Sequence, residues 1–260
     1  MTKANILSIQ IRPKTGRRER NLEKVGELID QNSHLNPDLI LMPEFFNTGV
    51  SVPEFKKLAE TEETSVTLDY FKEKAKKYNT YILTGSIIEK DGEKLYNTSW
   101  LLNRNGEIAG KYRKIHLYDC CGGTENQYCS YGDSIKVVET DFGKIGMSVC
   151  FDIKFPNHFV NLVKQGAEII VEPAAWCLPN DTDNWITMNK ARALDNMVYF
   201  CSSNLCGKID SYLTSCGHSM IVAPNGQVLS DAGEQEGIAA AQIDMDYLRY
   251  LRLQFNLNRL

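Results

Sequence analysis

Gly143-Lys144-Ile145-Gly146-Met147-Ser148-Val149-Cys150-Phe151-Asp152 decides how the rest of this chain is read. A short apolar run stops at a thiol, and Phe155-Pro156 follows as a helix start. Strand, sharp turn, reactive side chain, helix is how an α/β protein presents a nucleophile. Backbone N–H groups at the helix start stabilise a thiolate and an oxyanion alike. Most free cysteines are instead small buried hydrophobes. Cys177, Cys201, Cys206 and Cys216 are read that way, and Cys150 is set apart by its place at a strand end.

Two upstream charges sit where charge is costly. Leu39-Ile40-Leu41-Met42-Pro43-Glu44-Phe45-Phe46 surrounds Glu44 with apolar residues. Such a carboxylate either turns out to solvent, pairs with an arginine, or stays buried with a raised pKa suited to acid–base work. Lys114 lies in Gly110-Lys111-Tyr112-Arg113-Lys114-Ile115-His116-Leu117. In a strand it shares a face with Tyr112 and His116. By composition alone that stretch is a solvated basic face; a lysine buried beside a carboxylate becomes an oxyanion donor instead.

The surrounding pattern is that of an α/β protein. Asn5 to Ile11 alternates as a half-buried strand, and Leu22, Val25, Leu28 and Ile29 fall at helical spacing. Asp38 to Met42 and Tyr81 to Ile88 read as buried strands, with a helix over Leu68 to Tyr78 between them. Asp91-Gly92 and Asn105-Gly106 mark hairpin turns. Tyr118 to Asp133 has loop composition. A strand over Ala167 to Val171 runs into a Glu172-Pro173-Ala174-Ala175 turn, and Asp183 to Met197 is a long amphipathic helix. Strands follow over Val198 to Ser203, Ser219 to Ala223 and Gly237 to Ile243, with a last helix from Tyr247. Alternation of β-α-β units with hairpins implies mixed sheets with helices outside. No linker or repeat divides residues 1–260, which read as a single domain.

Bulk properties narrow the function. The net charge of −4 and the absence of a basic stripe exclude a nucleic-acid binder. No apolar stretch reaches the roughly 18 residues of a membrane span. The N-terminus leads directly into a strand without a signal-peptide core, so a cytoplasmic location and reduced thiols are expected. The four histidines and eight cysteines show no metal-ligand spacing, so no metal is expected.

Taken in order, Pro43-Glu44, Arg113-Lys114-Ile115-His116-Leu117 and Gly146-Met147-Ser148-Val149-Cys150-Phe151-Asp152 resemble the nitrilase (carbon-nitrogen hydrolase) superfamily. Phe155-Pro156, Gln165-Gly166-Ala167-Glu168 and Ala191-Arg192-Ala193-Leu194-Asp195-Asn196 extend the resemblance, which runs from about Asn5 to Tyr247. It implies an α-β-β-α sandwich of two mixed β-sheets flanked by helices, a homodimer, no cofactor, and a small-molecule amide as substrate. It also implies a second glutamate seven residues before a glycine, a spacing that Glu125 and Gly132 match. Cys150 is then the nucleophile, Glu44 the general base and acid, and Lys114 with the Phe151 N–H the oxyanion donors. Glu125 orients Lys114. Trp176 is expected in the pocket wall, Lys154 as a holder of a substrate carboxylate, and Glu172 as a selector of a cationic group.

Rivals differ in class. His116 or His158 as base would make a cysteine–histidine hydrolase. A catalytically idle interaction module would have lost one of Glu44, Lys114 or Cys150. A thiol redox sensor would use Cys120, Cys121 and Cys129. Within the family, amidase, N-carbamoyl amidohydrolase and nitrilase stay open, with an amidase on small aliphatic or carboxylate-bearing amides favoured. Four departures bear on substrate and assembly: Lys154 stands where arginine is frequent, Asn157 replaces a glutamate, Asn184 a histidine, and the chain stops at Leu260.

Overall fold

The computed structural model describes residues 2–120, 122–177, 181–210 and 213–255. Cys121 and Leu260 therefore lie outside the described residues. The first half runs β1 (Lys3–Gln10), α1 (Arg18–Asn32), β2 (Leu39–Leu41), α2 (Val52–Leu58), α3 (Val66–Tyr78), β3 (Tyr81–Leu83), β4 (Ile87–Asp91), β5 (Lys94–Leu102) and β6 (Ile108–Arg113). The second runs β7 (Lys136–Glu139), β8 (Lys144–Met147), α4 (Pro156–Lys164), β9 (Ile169–Ala174), α5 (Thr182–Asn196), β10 (Tyr199–Asn204), β11 (Cys206–Lys208), β12 (Thr214–Cys216), β13 (Met220–Val222), β14 (Val228–Asp231), β15 (Gly237–Asp244) and α6 (Met245–Gln254).

Two mixed sheets result. One has the order β15-β1-β2-β3-β5-β4 with β6 on the far side of β5, and the other the order β14-β13-β10-β9-β8-β7. Among the described strands, parallel pairing runs through β1-β2-β3 and β8-β9-β10, where helical crossovers supply the return path. Strand β2 shows why the layers stack as they do. Leu39 and Leu41 enter the core between the sheets, while Ile40 and Met42 face Leu22, Val25 and Ile29 of α1 and Leu68 and Phe71 of α3. A strand covered on both faces reads as a continuous apolar run. Helices α4 and α5 cover the second sheet through Phe159, Leu162, Trp185 and Ala193. The order helix, sheet, sheet, helix is the expected α-β-β-α sandwich. Among the described residues, no helix is long and apolar enough to cross a membrane.

Two strand expectations are corrected. Tyr81 to Ile88 is not one strand: Thr84-Gly85-Ser86 interrupts it, and β3 and β4 pair separately along β5. Gly85 has φ +69°, and a Cβ there would lie 2.1 Å from the Pro43 carbonyl oxygen. The break lets the segment after β2 approach, and Phe45 N–H donates to Ser86 O at 2.8 Å. Gly85→Ala is therefore expected to cost at least about 2 kcal/mol, from left-handed strain plus the clash, read by urea unfolding. An unchanged midpoint would mean that the close approach is not required. The second correction is that Glu172-Pro173-Ala174 is strand, not turn, because β10 pairs with it through Asn204. Pro173 is tolerated because β8, on the other side, pairs only as far as Val171.

Candidate active site

The site forms where strand ends from both sheets meet. Glu44 follows β2 and Pro43, and its N–H donates to Ala174 O of β9 at 3.3 Å. Lys114 is the first residue beyond β6; its N–H donates to Asn97 O at 2.9 Å and its carbonyl accepts from Gly132 at 2.8 Å. Lys114 and Glu44 are each 2% exposed, and Glu125 is 3% exposed. The ammonium Nζ lies 3.0 Å from Glu44 Oε1 and 2.9 Å from Glu125 Oε2. A buried cation survives there only because two carboxylates surround it. Burial would pull the Lys114 pKa down, but Glu125, Glu44 and Cys150 outweigh it and hold the ammonium well above its usual range.

Cys150 sits on a strained elbow. Strand β8 ends at Met147, Val149 is extended, and Cys150 takes φ +48° before a 3-10 turn, Cys150–Lys154, leads into α4. A positive φ is uncommon for a residue with a Cβ and marks a position fixed by its surroundings. Asp152 does the fixing. Fully buried, it accepts from Val149 N–H at 2.8 Å, Tyr112 Oη at 2.7 Å, His116 N–H at 3.1 Å and His116 Nδ1 at 2.7 Å. Burial would raise its pKa; the bonds from His116 and Tyr112, with the His158 charge, hold it below the usual carboxylate range. Burial and the Glu44 carboxylate push the Cys150 thiol well up, against an opposing pull from Lys114. The resting nucleophile is thus a thiol that needs a base, and Glu44 is the hydrogen-bonded partner.

Glu44, Lys114, Glu125 and Cys150 open together into a cavity of about 270 Å³. Phe45, Tyr118, Tyr128, Phe151 and Trp176 wall it, with Val50, Cys177 and Leu213. Trp176 is 3% exposed, lies 5.3 Å from Trp185 ring to ring, and donates its backbone N–H to Asn204 Oδ1 at 2.8 Å. The expected residues Glu44, Lys114, Glu125, Cys150, Phe151 and Trp176 are thus brought together.

Lys154 and Glu172 are not. Lys154 is exposed, its Nζ 5.3 Å above the Trp176 ring, and it does not line the cavity. Glu172 is fully buried in β9, hydrogen-bonded to Ser148 Oγ, with Oε1 unpartnered. Burial pushes its carboxyl well up, and the Asp152 charge adds to this. Buried in β9 and outside the cavity lining, this carboxyl does not meet a cationic substrate group.

The alternative chemistries sit elsewhere. The described residues bring His116, Asp152 and His158 together, with one ligand atom from each within 4.8 Å of the others, a spacing that could hold a metal. The Asp152 oxygens are already occupied by the four bonds that secure the elbow, so the group reads as structural. Neither histidine lines the cavity of Cys150, and His116 stacks on Phe155 at 3.8 Å. The strand ends at Arg113, so His116 does not share a face with Lys114 as strict alternation implied. Cys120 is exposed, while Cys129 is buried beside Phe45, Phe55 and Leu117.

Asn97 is the polar residue that sequence reasoning missed. It lies mid-strand in β5, is 1% exposed, and its Nδ2 is 2.7 Å from both Glu44 Oε1 and Glu125 Oε1. The signal was the one that singled out Glu44: a polar group inside Leu95-Tyr96-Asn97-Thr98-Ser99-Trp100-Leu101-Leu102. The Ala175 N–H, 2.9 Å from Glu44 Oε2, and the Tyr118 N–H, 2.7 Å from Glu125 Oε2, carry no sequence signal because any residue supplies them.

The carbon-nitrogen hydrolase family model matches residues 6–253. Omega-amidase NIT2 of Xenopus tropicalis is 32% identical over 247 residues, 93% of this chain and 89% of that protein. Nitrilase homolog 2 of Dictyostelium discoideum is 32% identical over 242 residues, 90% of this chain and 74% of that protein. The crystal structure of Saccharomyces cerevisiae Nit3, a member of branch 10 of the nitrilase superfamily, superposes with a TM-score of 0.90 at 27% identity, over 97% of this chain and 94% of that one.

Proposed function

The chain belongs to the carbon-nitrogen hydrolase family, and from that premise we propose that it is an amidase of small aliphatic or carboxylate-bearing amides. The observation that carries the reading is the buried Glu44-Lys114-Glu125 cluster beside the Cys150 thiol in one aromatic-walled cavity. Glu44 takes the thiol proton as sulfur attacks the amide carbon. Lys114 Nζ and the Phe151 N–H hold the oxyanion of the tetrahedral intermediate; one such donor is worth about 3–4 kcal/mol of barrier. Collapse breaks the carbon–nitrogen bond, Glu44 returns the proton to the nitrogen, and ammonia or an amine leaves. Water, deprotonated by Glu44, then hydrolyses the thioester, releasing the acid and restoring the thiol. Glu125 keeps Lys114 in line.

The name of one relative, omega-amidase NIT2 of Xenopus tropicalis, supports the amide over the nitrile. A cytoplasmic homodimer belongs to the same reading, and exposed Leu194, Tyr250 and Leu253 on the outer helices supply apolar surface for such pairing. The test is ammonia release from ω-amides, N-carbamoyl compounds and nitriles, assayed side by side. Turnover is expected on amides, at least about tenfold above the other two classes, a margin of about 1.4 kcal/mol. Release from nitriles alone would overturn the amidase reading.

A further inference from the structure

We propose that Asn97 is a positioning residue that decides which oxygen of Glu44 exchanges the catalytic proton. The inference rests on the reading of Glu44 as general base. A carboxylate oxygen has two lone-pair sites. On Glu44 Oε1 both are filled, by Lys114 Nζ at 3.0 Å and Asn97 Nδ2 at 2.7 Å. Oε2 accepts the Ala175 N–H at 2.9 Å and, among the described residues, keeps its second site open. The proton therefore travels through Oε2.

The orientation of the Asn97 amide is set by its partners. Both are carboxylates, which only accept, so the atom that meets them is the nitrogen. Its two hydrogens go one to each glutamate, and the Oδ1 is buried without a partner. The same residue anchors the lysine, because Asn97 O accepts the Lys114 N–H at 2.9 Å. Asn97 is itself held from behind in β5, opposite Ile88 of β4. One side chain on a rigid strand thus sets the separation of two carboxylates, and its backbone sets the cation between them. Rigid elements hold such geometry better than loops do.

Without the Asn97 donor, Glu44 Oε1 gains an open site of its own, and the proton divides between two oxygens instead of being held to one. Asn97→Leu conserves volume and removes the donor. It is expected to lower kcat on the order of 10²-fold with KM within about twofold, as loss of oriented proton transfer does.

A substrate-independent readout separates positioning from mere scaffolding: the rate of Cys150 alkylation by iodoacetamide against pH, followed by peptide mass spectrometry. In Asn97→Leu the acid limb of that profile is expected to move to higher pH. Should the leucine variant not fold, Asn97→Ser decides, since one hydroxyl proton reaches at most one of the two carboxylates and a loss of about tenfold follows. A folded variant with wild-type kcat and a wild-type alkylation profile overturns the inference. Glu44→Gln in the same alkylation assay keeps the two ideas apart. If Glu44→Gln leaves the profile unchanged, the base assignment fails. If Glu44→Gln shifts it and the Asn97 variants do not, only the positioning role fails.

Discussion

Cys150→Ala is expected to lower amide turnover by at least on the order of 10⁴-fold while leaving the fold in place, as loss of a nucleophile does in other covalent hydrolases. The size follows from the covalent route. Without sulfur there is no thioester, and the remaining donors stabilise only the direct attack of water. The stability side is small, because alanine keeps the Cβ that occupies the φ +48° position and the thiol is already 8% exposed at the cavity floor. The elbow is held by Asp152 rather than by the thiol, so the Val149 and His116 bonds persist. Ammonia release and a thermal melt on one preparation check both halves. Turnover within tenfold of the wild type would discard the cysteine mechanism altogether.

Lys114→Met is expected to damage both activity and stability. The ammonium is the one cation lining the cavity among the described residues, and it faces Glu44 and Glu125 at 3.0 and 2.9 Å. Removing one partner from a buried ion group typically costs about 3–5 kcal/mol, because the charges left behind are neither solvated nor paired. Here two carboxylates remain, bridged only by Asn97.

The sign of the pH dependence is fixed. In the variant, protonating either carboxylate relieves the repulsion, so the folded form holds that proton more tightly than the unfolded chain does. The stability deficit is therefore largest near neutrality and shrinks as pH falls toward 5. Urea unfolding of wild type and variant at pH 7 and pH 5 measures it. Equal deficits at the two pH values would mean that the carboxylates are not coupled through the lysine. Activity falls as well, since an oxyanion donor and the geometry of the base are lost together.

The parts of the site legible in the sequence were those that broke a pattern. Glu44 interrupts an apolar run, Cys150 ends one, and Lys114 sits among strand residues; each is conspicuous because burying such a group is costly without use. Their convergence was not legible from spacing, since 70 residues separate Glu44 from Lys114 and the sheet alone joins them. The ordered motifs supplied what spacing did not.

The misplacements have local causes. Glu172 looked like a charge at a strand end because Pro173 follows it, but β8 turns away before Pro173 needs a donor. Alternation put His116 beside Lys114, and the end of β6 at Arg113 sent it to Asp152 instead. Helix α2 and the β11–β12 hairpin went unread because seven-residue and three-residue elements carry too few positions to set a period. Asn97 escaped for a different reason: an asparagine in a strand declares neither partner, and both of its partners lie far away in sequence.

The division of the site between the two sheets also bears on how the enzyme comes into being. Asn97 lies in the first sheet and Glu44 and Lys114 just past its strand ends, while Cys150, Ala175 and Trp176 follow strands of the second. Neither half holds a base and a nucleophile together. The first sheet taken alone, which the late strand β15 completes, carries a base and a lysine with nothing to activate. A detached second sheet carries a thiol with no base beside it. The reactive centre is complete only once the two sheets have docked, so regain of Cys150 reactivity during refolding is expected to time the closure of the sandwich itself.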